Sequence, residues 1–434
     1  MHSKEFYRRR HRNLFVGKCI IARVDTKSQS FVIRYVLLLE KPVIGFLFGF
    51  IVYFVLSSLG GSPFRLREFA YFNYLADAFL HGQLHLRILP PTVHDLSFFK
   101  GNYYLYWPPM PAVVMMPFVA IFGIGFSDVF FNVVVAAINV AVMAALLRAA
   151  DYEKLINLDA QYRALLVLFF TLGTVHVILA PFGRIWFTAQ LLGFLFVGLA
   201  YLSALKFNGA AAFLAVGILM AFAMLTRNHL LFTGIWPAYY LLSKNWNDRP
   251  KLYSYVSLAL LPILALGLLF LAYNFVRFGS PFELGIRYHD MASLFVADYQ
   301  KYGAFNLHYL PINFYYQYIY YPLPVSSETQ MGGSLFLLSP VFFYAFRGIL
   351  REYRNPNIWM WVFSILATSI PILLLMGTGW VQYGPRYTLD FTVPLLLLTA
   401  SGVQSTSKPL LTILIAISIA QYIPGILLFA RLYK

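Results

Sequence analysis

"HDLSFFKGNYYLYWPPMPAVVMMP", residues 94–117, runs from a charged His94-Asp95 pair through a cluster of aromatics into a proline-broken apolar stretch. The apolar part, 109–124, is short for a membrane crossing and carries Pro109, Pro111 and Pro117. Whether it crosses decides the fold. Around it lie apolar runs long enough to cover ~30 Å of hydrocarbon, or nearly so with tilt. They fall at about 42–60, 126–148, 163–181, 185–205, 208–226, 229–243, 253–275, 334–346, 357–376, 387–403 and 409–430. If 109–124 is a further crossing, "SKNWNDRPK" (243–251) and "RGILREYR" (347–354) face outward, although short basic loops stay on the cytoplasmic side. If it is re-entrant or interfacial, both loops and the N-terminal arm lie inside, with Arg148, Lys154, Arg163, Lys206 and Lys408.

The second assignment agrees with the charges. It predicts an all-α polytopic membrane protein of about eleven transmembrane helices, with interfacial or re-entrant helices in its first outer loop. The chain divides into a basic cytoplasmic arm, 1–41, and one transmembrane domain, 42–434, with long outer loops at 61–125 and 276–333. "PFGRIW" (181–186) and "GTGWVQYGPRY" (377–387) also face out, and an odd number of crossings leaves the C-terminus outside.

Composition demands a membrane. Hydrophobic residues make up 60% of the chain and charged ones 12%, more apolar surface than one soluble core can hide. A net charge of +16 would suggest nucleic acid in a soluble protein. Here it orients spans, and no nucleic-acid partner is expected. The densest cluster, "KEFYRRRHR" (4–12), precedes every apolar run. It reads as a retention signal or as a patch attracting anionic lipid at ~1 kcal/mol per basic residue. One cysteine, Cys19, excludes an intramolecular disulfide and a cysteine-based metal site. The first apolar run begins near Pro42, too deep for a signal peptide and without a small-residue cleavage site after it, so it reads as an uncleaved span. Inner loops are short and basic, whereas outer loops are long, aromatic and hold most remaining carboxylates, which places function outside.

In the first outer loop, "LREFAYFNYLADAFLH" (66–81) has helical spacing, with Phe69, Phe72, Ala76, Phe79 and Leu80 on one face. Such a helix lies along the membrane surface. Glu68 and Asp77 flank that face from opposite sides, so at most one of them points into a cleft. Irregular backbone at membrane depth is tolerated only where protein buries it or water fills a space beside it, so the broken stretch after Pro90-Pro91 implies a cavity. Taken alone, Asp95 reads as a loop or capping residue.

Five stretches in order carry a resemblance: "EFAYFNYLADAFLHGQL" (68–84), "HDLSFFKGNYYLYWPPMPAVVMMPFVAIFG" (94–123), "GRIWFTAQ" (183–190), "YNFVRFGSPFELG" (273–285) and "GWVQYGPRYTLDF" (379–391). Together they resemble the type C (GT-C) glycosyltransferases, in the bacterial branch related to protein O-mannosyltransferases and the lipid A aminoarabinose transferase. The resemblance implies a membrane glycosyltransferase that moves a sugar from a polyprenyl-phosphate carrier to a hydroxyl acceptor, lipid, protein or polysaccharide, on the extracytoplasmic face of a bacterial inner membrane. The family usually carries an Asp-Glu pair just ahead of the surface helix, where this chain has Arg67-Glu68. Members of this branch tend to show an acidic residue at the place of Asp95. Asp95 is therefore the first candidate for the base and Glu68 the second.

Such a transfer needs a base for the acceptor proton and cations for the departing phosphate. Arg386, Arg184 and Arg277 are the phosphate candidates, and Arg386 has a planar fork suited to that group. Their plain alternatives are an i,i+4 pair with Asp390 for Arg386 and headgroup snorkelling for the other two. Tyr103, Tyr104, Trp107, Trp186, Gln190, Tyr383 and Tyr387 are expected to line the cavity. His176 and Gln190 also read as packing contacts between spans. His94, His289 and His308 lack ligand spacing, which leaves a metal only scattered carboxylates as ligands, and neither a required metal nor another cofactor is expected. "NFYYQYIYYPLP" (313–324) reads as an interfacial belt, or as Tyr315, Tyr316 or Tyr318 stacking on a sugar. Asp290, Asp298 and Glu283 are secondary candidates. The competing classes are a multi-span lipid or sugar transporter, which would carry internal repeats and midplane charges, and a non-catalytic envelope-polymer assembly protein.

Overall fold

The computed structural model describes residues 35–377 and 381–432. "KEFYRRRHR", Cys19, most of the N-terminal arm and Trp380 lie outside the described residues. The fold is helical, with two small two-stranded sheets. Its main helices are α1 (Pro42–Leu59), α2 (Tyr71–Leu80), α3 (Met110–Phe122), α4 (Asp128–Tyr152), α5 (Ala160–Leu172), α6 (Ile185–Lys206), α7 (Gly209–Met224) and α8 (Ile235–Lys244). They are followed by α9 (Arg249–Phe278), α10 (Ser293–Tyr302), α11 (Tyr344–Arg351), α12 (Pro356–Leu374), α13 (Thr392–Val403) and α14 (Lys408–Leu432).

Local chemistry starts several of these helices. Pro42 opens α1 where its missing N–H costs nothing. Ser127 caps α4 by accepting from Phe130 N at 3.1 Å, and Asp159 caps α5 by accepting from Gln161 N and Tyr162 N.

The disputed segment is α3. Its 13 residues span only ~20 Å. Ser127 Oγ donates to Pro63 O at 2.7 Å and Arg67 N donates to Asp128 Oδ1 at 3.0 Å, so α4 starts beside the chain leaving α1. At the opposite end Glu40, just before α1, pairs with Arg163 at 2.7 Å, and Arg163 pairs with Asp151 in the last turn of α4 at 2.7 Å. Helices α1 and α4 are thus antiparallel neighbours. Asn73 of α2 donates to Ile124 O and Phe126 O, which holds the end of α3 where α4 begins. The start of α3 is held by Met110 N donating to Leu225 O at 3.0 Å, just past α7. Because α6 begins at the same end, with Ile185 N on Phe69 O at 3.0 Å, and α7 returns antiparallel to it, both ends of α3 lie at one end of the bundle. Helix α3 turns back.

Six of the described helices, α1, α4, α6, α9, α12 and α14, are long and apolar enough to cross a membrane, and with this composition the chain is an integral membrane protein. The other expected runs are shorter or broken. The 163–181 run ends as a helix at Leu172, 229–243 begins in a 3-10 turn over Asn228–Gly234, 334–346 breaks at Pro340, and 387–403 is a 3-10 helix up to Phe391 and α-helical only from Thr392. The reason is burial: every residue of α13 is buried in protein, where broken backbone can find partners that lipid does not offer. Helix α9 is the opposite case. Leu260, Leu261, Leu264, Leu268, Leu269 and Val276 are exposed along it, an apolar surface fit for lipid.

Candidate active site

At the end where α3 turns back, the first long loop, 61–125, is more regular than its prolines suggest. Ser97–Phe99 and Asn102–Tyr104 pair as an antiparallel hairpin. Lys100 and Gly101 have φ of 47° and 83° at its two-residue turn, as such tight turns require. The hairpin takes Tyr103 against Phe98, centroids 4.9 Å apart, and Tyr104 against Phe278 at 5.2 Å. Neither tyrosine lines the cavity described next, contrary to expectation: Tyr103 packs within the hairpin, and Tyr104, on the opposite face of the strand, packs against the end of α9.

Just before the hairpin, Asp95 adopts φ 65°, a left-handed conformation that aspartate tolerates better than most residues. Two backbone bonds hold it, Asp95 N on Asp290 O at 2.9 Å and Asp290 N on Leu96 O at 2.8 Å. Ser97 Oγ adds a bond to Gly285 O at 2.8 Å. These contacts zip the first long loop to the second, 276–333. Asp95 Oδ2 accepts from Trp186 Nε1 at 3.0 Å, and Oδ1 lies 2.8 Å from His289 Nε2 and 3.6 Å from His94 Nε2. Tyr71 OH donates to His94 O at 2.6 Å, which pins the carbonyl next to Asp95. Burial first, then the charge of Asp95, hold the phenols of Tyr71 and Tyr106 well above their ordinary range, so both stay protonated.

These groups border a cavity of about 370 Å³. Its walls include Asp95, Trp107, Arg184, Trp186, Arg386 and Tyr387, all expected from the sequence, together with His94, Tyr106, Arg227 and His289. Arg184, just ahead of α6, lies over the rings of Phe69 at 4.7 Å and Trp186 at 5.8 Å. Arg386 is buried, with Nε donating to Gln382 Oε1 at 3.1 Å and Nη2 to Tyr387 OH at 3.3 Å. Gln190 Nε2 donates to Arg386 O at 2.8 Å, so Gln190 positions the arginine backbone from behind the wall. Arg227 and Arg386 both stand near the ring of Tyr387, at 5.2 and 4.7 Å.

Several expectations require correction. Glu68 is exposed and does not line the cavity, although its neighbour Phe69 does. Arg277 is buried elsewhere. It donates to Leu105 O and Asn274 Oδ1, both at 2.7 Å, and so clamps the first loop to the end of α9. Tyr383 donates to Gln421 O at 2.6 Å, away from the cavity. Asp390 does not pair with Arg386. Its Oδ2 accepts from Arg227 Nε at 3.1 Å and lies 2.8 Å from His229 Nε2, because the 3-10 geometry of Arg386–Phe391 puts residues four apart off a common face. His176 lies 2.9 Å from Tyr53 OH and 3.4 Å from Asn139 Nδ2, not against Gln190. Asp77 forms a two-pronged pair with Arg87, both bonds 3.0 Å. Tyr315, Tyr316, Tyr318, Asp290, Asp298, Glu283 and His308 do not line the cavity. Among the described residues no three His, Cys, Asp or Glu side chains are grouped to hold a metal.

Sequence reasoning missed Arg227 and His289 as site residues. Arg227-Asn228-His229 interrupts two apolar runs, which was the available signal. His289 had none, since only the seam between the loops brings it to Asp95. A second cavity of about 370 Å³ shares Arg227, Leu375 and Tyr387 with the first and is otherwise mostly apolar, with Phe232, Phe305 and Ile372.

No protein-family model matches the chain, and no curated protein matches it. Among solved structures, the oligosaccharyltransferase of Archaeoglobus fulgidus in its apo form is similar at a TM-score of 0.50 and 13% identity, over 90% of this chain and 56% of that one. ArnT from Cupriavidus metallidurans is similar at 0.49 and 15% when bound to undecaprenyl phosphate, over 84% of this chain and 60% of that one. Its apo state is similar at 0.46 and 15%, over 88% and 61%. The chain thus spans about three fifths of the length of these structures. The likeness to the archaeal structure establishes the fold alone, the one that structure shares.

Proposed function

We propose that this GT-C-fold chain is a membrane glycosyltransferase that moves a sugar from a polyprenyl-phosphate carrier to a hydroxyl acceptor on the extracytoplasmic face. The observation that carries the reading is the cavity at one end of the bundle, where Asp95, the one lining carboxylate among the described residues, shares a wall with Arg184, Arg227 and Arg386. Three guanidiniums against Asp95 and the buried Asp390 leave an excess of positive charge that an anionic ligand would neutralise. Arg386 and Arg227 are the phosphate-holding pair in this reading, with Tyr387 between them as a rigid aromatic support. Fixed cations at a departing phosphate stabilise the charge that develops there, an effect worth ~10²–10³ in rate for one well-placed donor. Asp95 supplies the negative centre on which removal of the acceptor proton depends. Proton and charge work both fall to side chains, with no resident metal.

The charge distribution supports this sidedness. The end opposite the cavity carries Arg148, Lys154, Arg163, Lys206, Lys244 and Lys408 near helix termini, which favours that end as cytoplasmic and the cavity as outward-facing. The second, apolar cavity adjoins the arginines and suits a hydrocarbon tail next to its phosphate.

The test is transfer itself. Purified full-length protein in bilayers is supplied with a panel of undecaprenyl-phosphate-linked sugars and extracted envelope acceptors, and movement of labelled sugar is followed. Transfer from at least one donor, lost in Asp95→Asn, is the expected result. An absence of transfer from every donor, with undecaprenyl phosphate failing to bind, would sink the proposal.

A further inference from the structure

The two nitrogens of the His289 imidazole are in different situations. Nε2 lies 2.8 Å from Asp95 Oδ1. A carboxylate only accepts, so Nε2 carries the hydrogen and Nδ1 is the bare nitrogen able to take a proton. Nδ1 has no hydrogen-bond partner among the described residues. Both Asp95 oxygens, by contrast, are already engaged, Oδ1 by His289 and Oδ2 by Trp186 at 3.0 Å. The imidazole meets the ring of Tyr106 edge-on at 4.6 Å. A bridge between Ser97 and His289 and the Asp95–Asp290 backbone bond set the two partners' spacing through main chain. This is the arrangement in which a carboxylate fixes the tautomer of a histidine and balances its charge while the far nitrogen does the proton chemistry.

Resting on the glycosyl-transfer reading above, we propose that His289 Nδ1 takes the proton of the acceptor hydroxyl and that Asp95 orients and charge-balances the imidazole. In the step, the acceptor O–H proton passes to Nδ1 as the acceptor oxygen bonds to the anomeric carbon of the sugar. The bond from that carbon to the phosphate oxygen breaks, and its electron pair leaves on the phosphate, whose added charge falls to Arg386 and Arg227. The imidazolium keeps its Nε2–H on Asp95 and releases the Nδ1 proton to solvent. The charged and titratable groups sharing the cavity with His289 are His94, Asp95 and Tyr106 from the first loop, Arg184 ahead of α6, Arg227 after α7, and Arg386 and Tyr387 ahead of α13. Asp95 is the only carboxylate among them, so it is the group that supports a cationic imidazole.

The experiment compares wild type, His289→Gln and Asp95→Asn, each full length in bilayers, for transfer from an undecaprenyl-phosphate sugar across pH 5–9. General-base catalysis contributes ~10²–10⁴ in rate. His289→Gln is therefore expected to lower kcat at least about 100-fold with donor KM unchanged. The wild-type rate should fall as the pH is lowered, because an imidazole already protonated from solvent cannot take the acceptor proton, and the residual rate of the variant should lack that limb. A His289→Gln enzyme within about threefold of wild type, or one that keeps the same acid limb, overturns the proposal while leaving the transferase reading intact. So does loss of wild-type activity to a chelator with recovery on adding a divalent metal, which would make the pair ligands. A wild-type chain that transfers nothing overturns both. If His289→Gln fails to accumulate, diethyl pyrocarbonate on the wild type decides. Inactivation should track modification of His289 by mass spectrometry and be slowed by undecaprenyl phosphate, and full activity with His289 modified overturns the proposal.

Discussion

Asp95 shows how much one residue's backbone does for the site. Its left-handed φ of 65° lets one carboxylate meet Trp186 from the start of α6 and His289 from the second loop together. A hydrogen bond to a charged group contributes ~1.5–3 kcal/mol. Trp186→Phe, which keeps the ring but deletes the donor, is expected to cut kcat about tenfold or more with donor affinity unchanged. Arg386→Ala should weaken undecaprenyl phosphate binding about 10- to 100-fold and leave acceptor KM alone; titration with the lipid in nanodiscs reads it directly, and unchanged affinity removes Arg386 from the phosphate site. At this scale the sequence offered the right residue types with uneven placement. Asp95, Arg184 and Arg386 stood out because a charge beside aromatics and prolines is conspicuous. Arg277 looked equivalent, yet the same side chain in another packing environment becomes a buried clamp.

At the scale of elements, the decisive one is α3. Its 13 residues and internal Pro117 argue from length against a crossing, and the bonds at both of its ends bring it back to the end of the bundle where it began. In a Cys19→Ser background, cysteines at Glu68 and Gly125 should react with a membrane-impermeant maleimide from one side, and a cysteine at Tyr152 only from the other. Labelling of positions 68 and 125 from opposite sides would refute the turn. Helix α9 depends on a close crossing with α7, where a Cβ on Gly217 would overlap the backbone oxygen of Ala259. Small residues permit such approach inside a membrane. Gly217→Leu should lower stability by about 1–3 kcal/mol, seen as an earlier thermal transition in detergent, and an unchanged transition would mean that α9 shifts without cost. Periodicity and apolar length located nearly every helix. They overstated continuity for 163–181, 229–243, 334–346 and 387–403, since hydrophobicity reports burial but cannot tell lipid from protein as the covering.

Across the whole molecule, the cavity and the anchoring ion pairs occupy opposite ends. Arg163 holds Glu40 and Asp151 at 2.7 Å each, and Lys408 holds Asp159 at 2.6 Å, tying α1, α4, α5 and α14 together away from the cavity. Arg163→Met should therefore lower thermal stability by about 1–3 kcal/mol, a loss of hydrogen bonds between charged groups, while donor binding per folded molecule stays unchanged; altered binding would show that the two ends are coupled. By itself, the sequence determined the membrane setting, the helical class, the end of the bundle carrying the long aromatic loops, and most of the charged residues worth testing. Those are properties of composition and of spacing along the chain, which local physics reads without knowing the partners. Only the tertiary structure decided that Asp95 meets His289, 194 residues away, that Asp390 serves Arg227 instead of Arg386, and that Glu68 stands outside. Such pairings depend on how separate loops and helix ends pack at the mouth of a bundle, and no periodicity within any one segment encodes the distance to another.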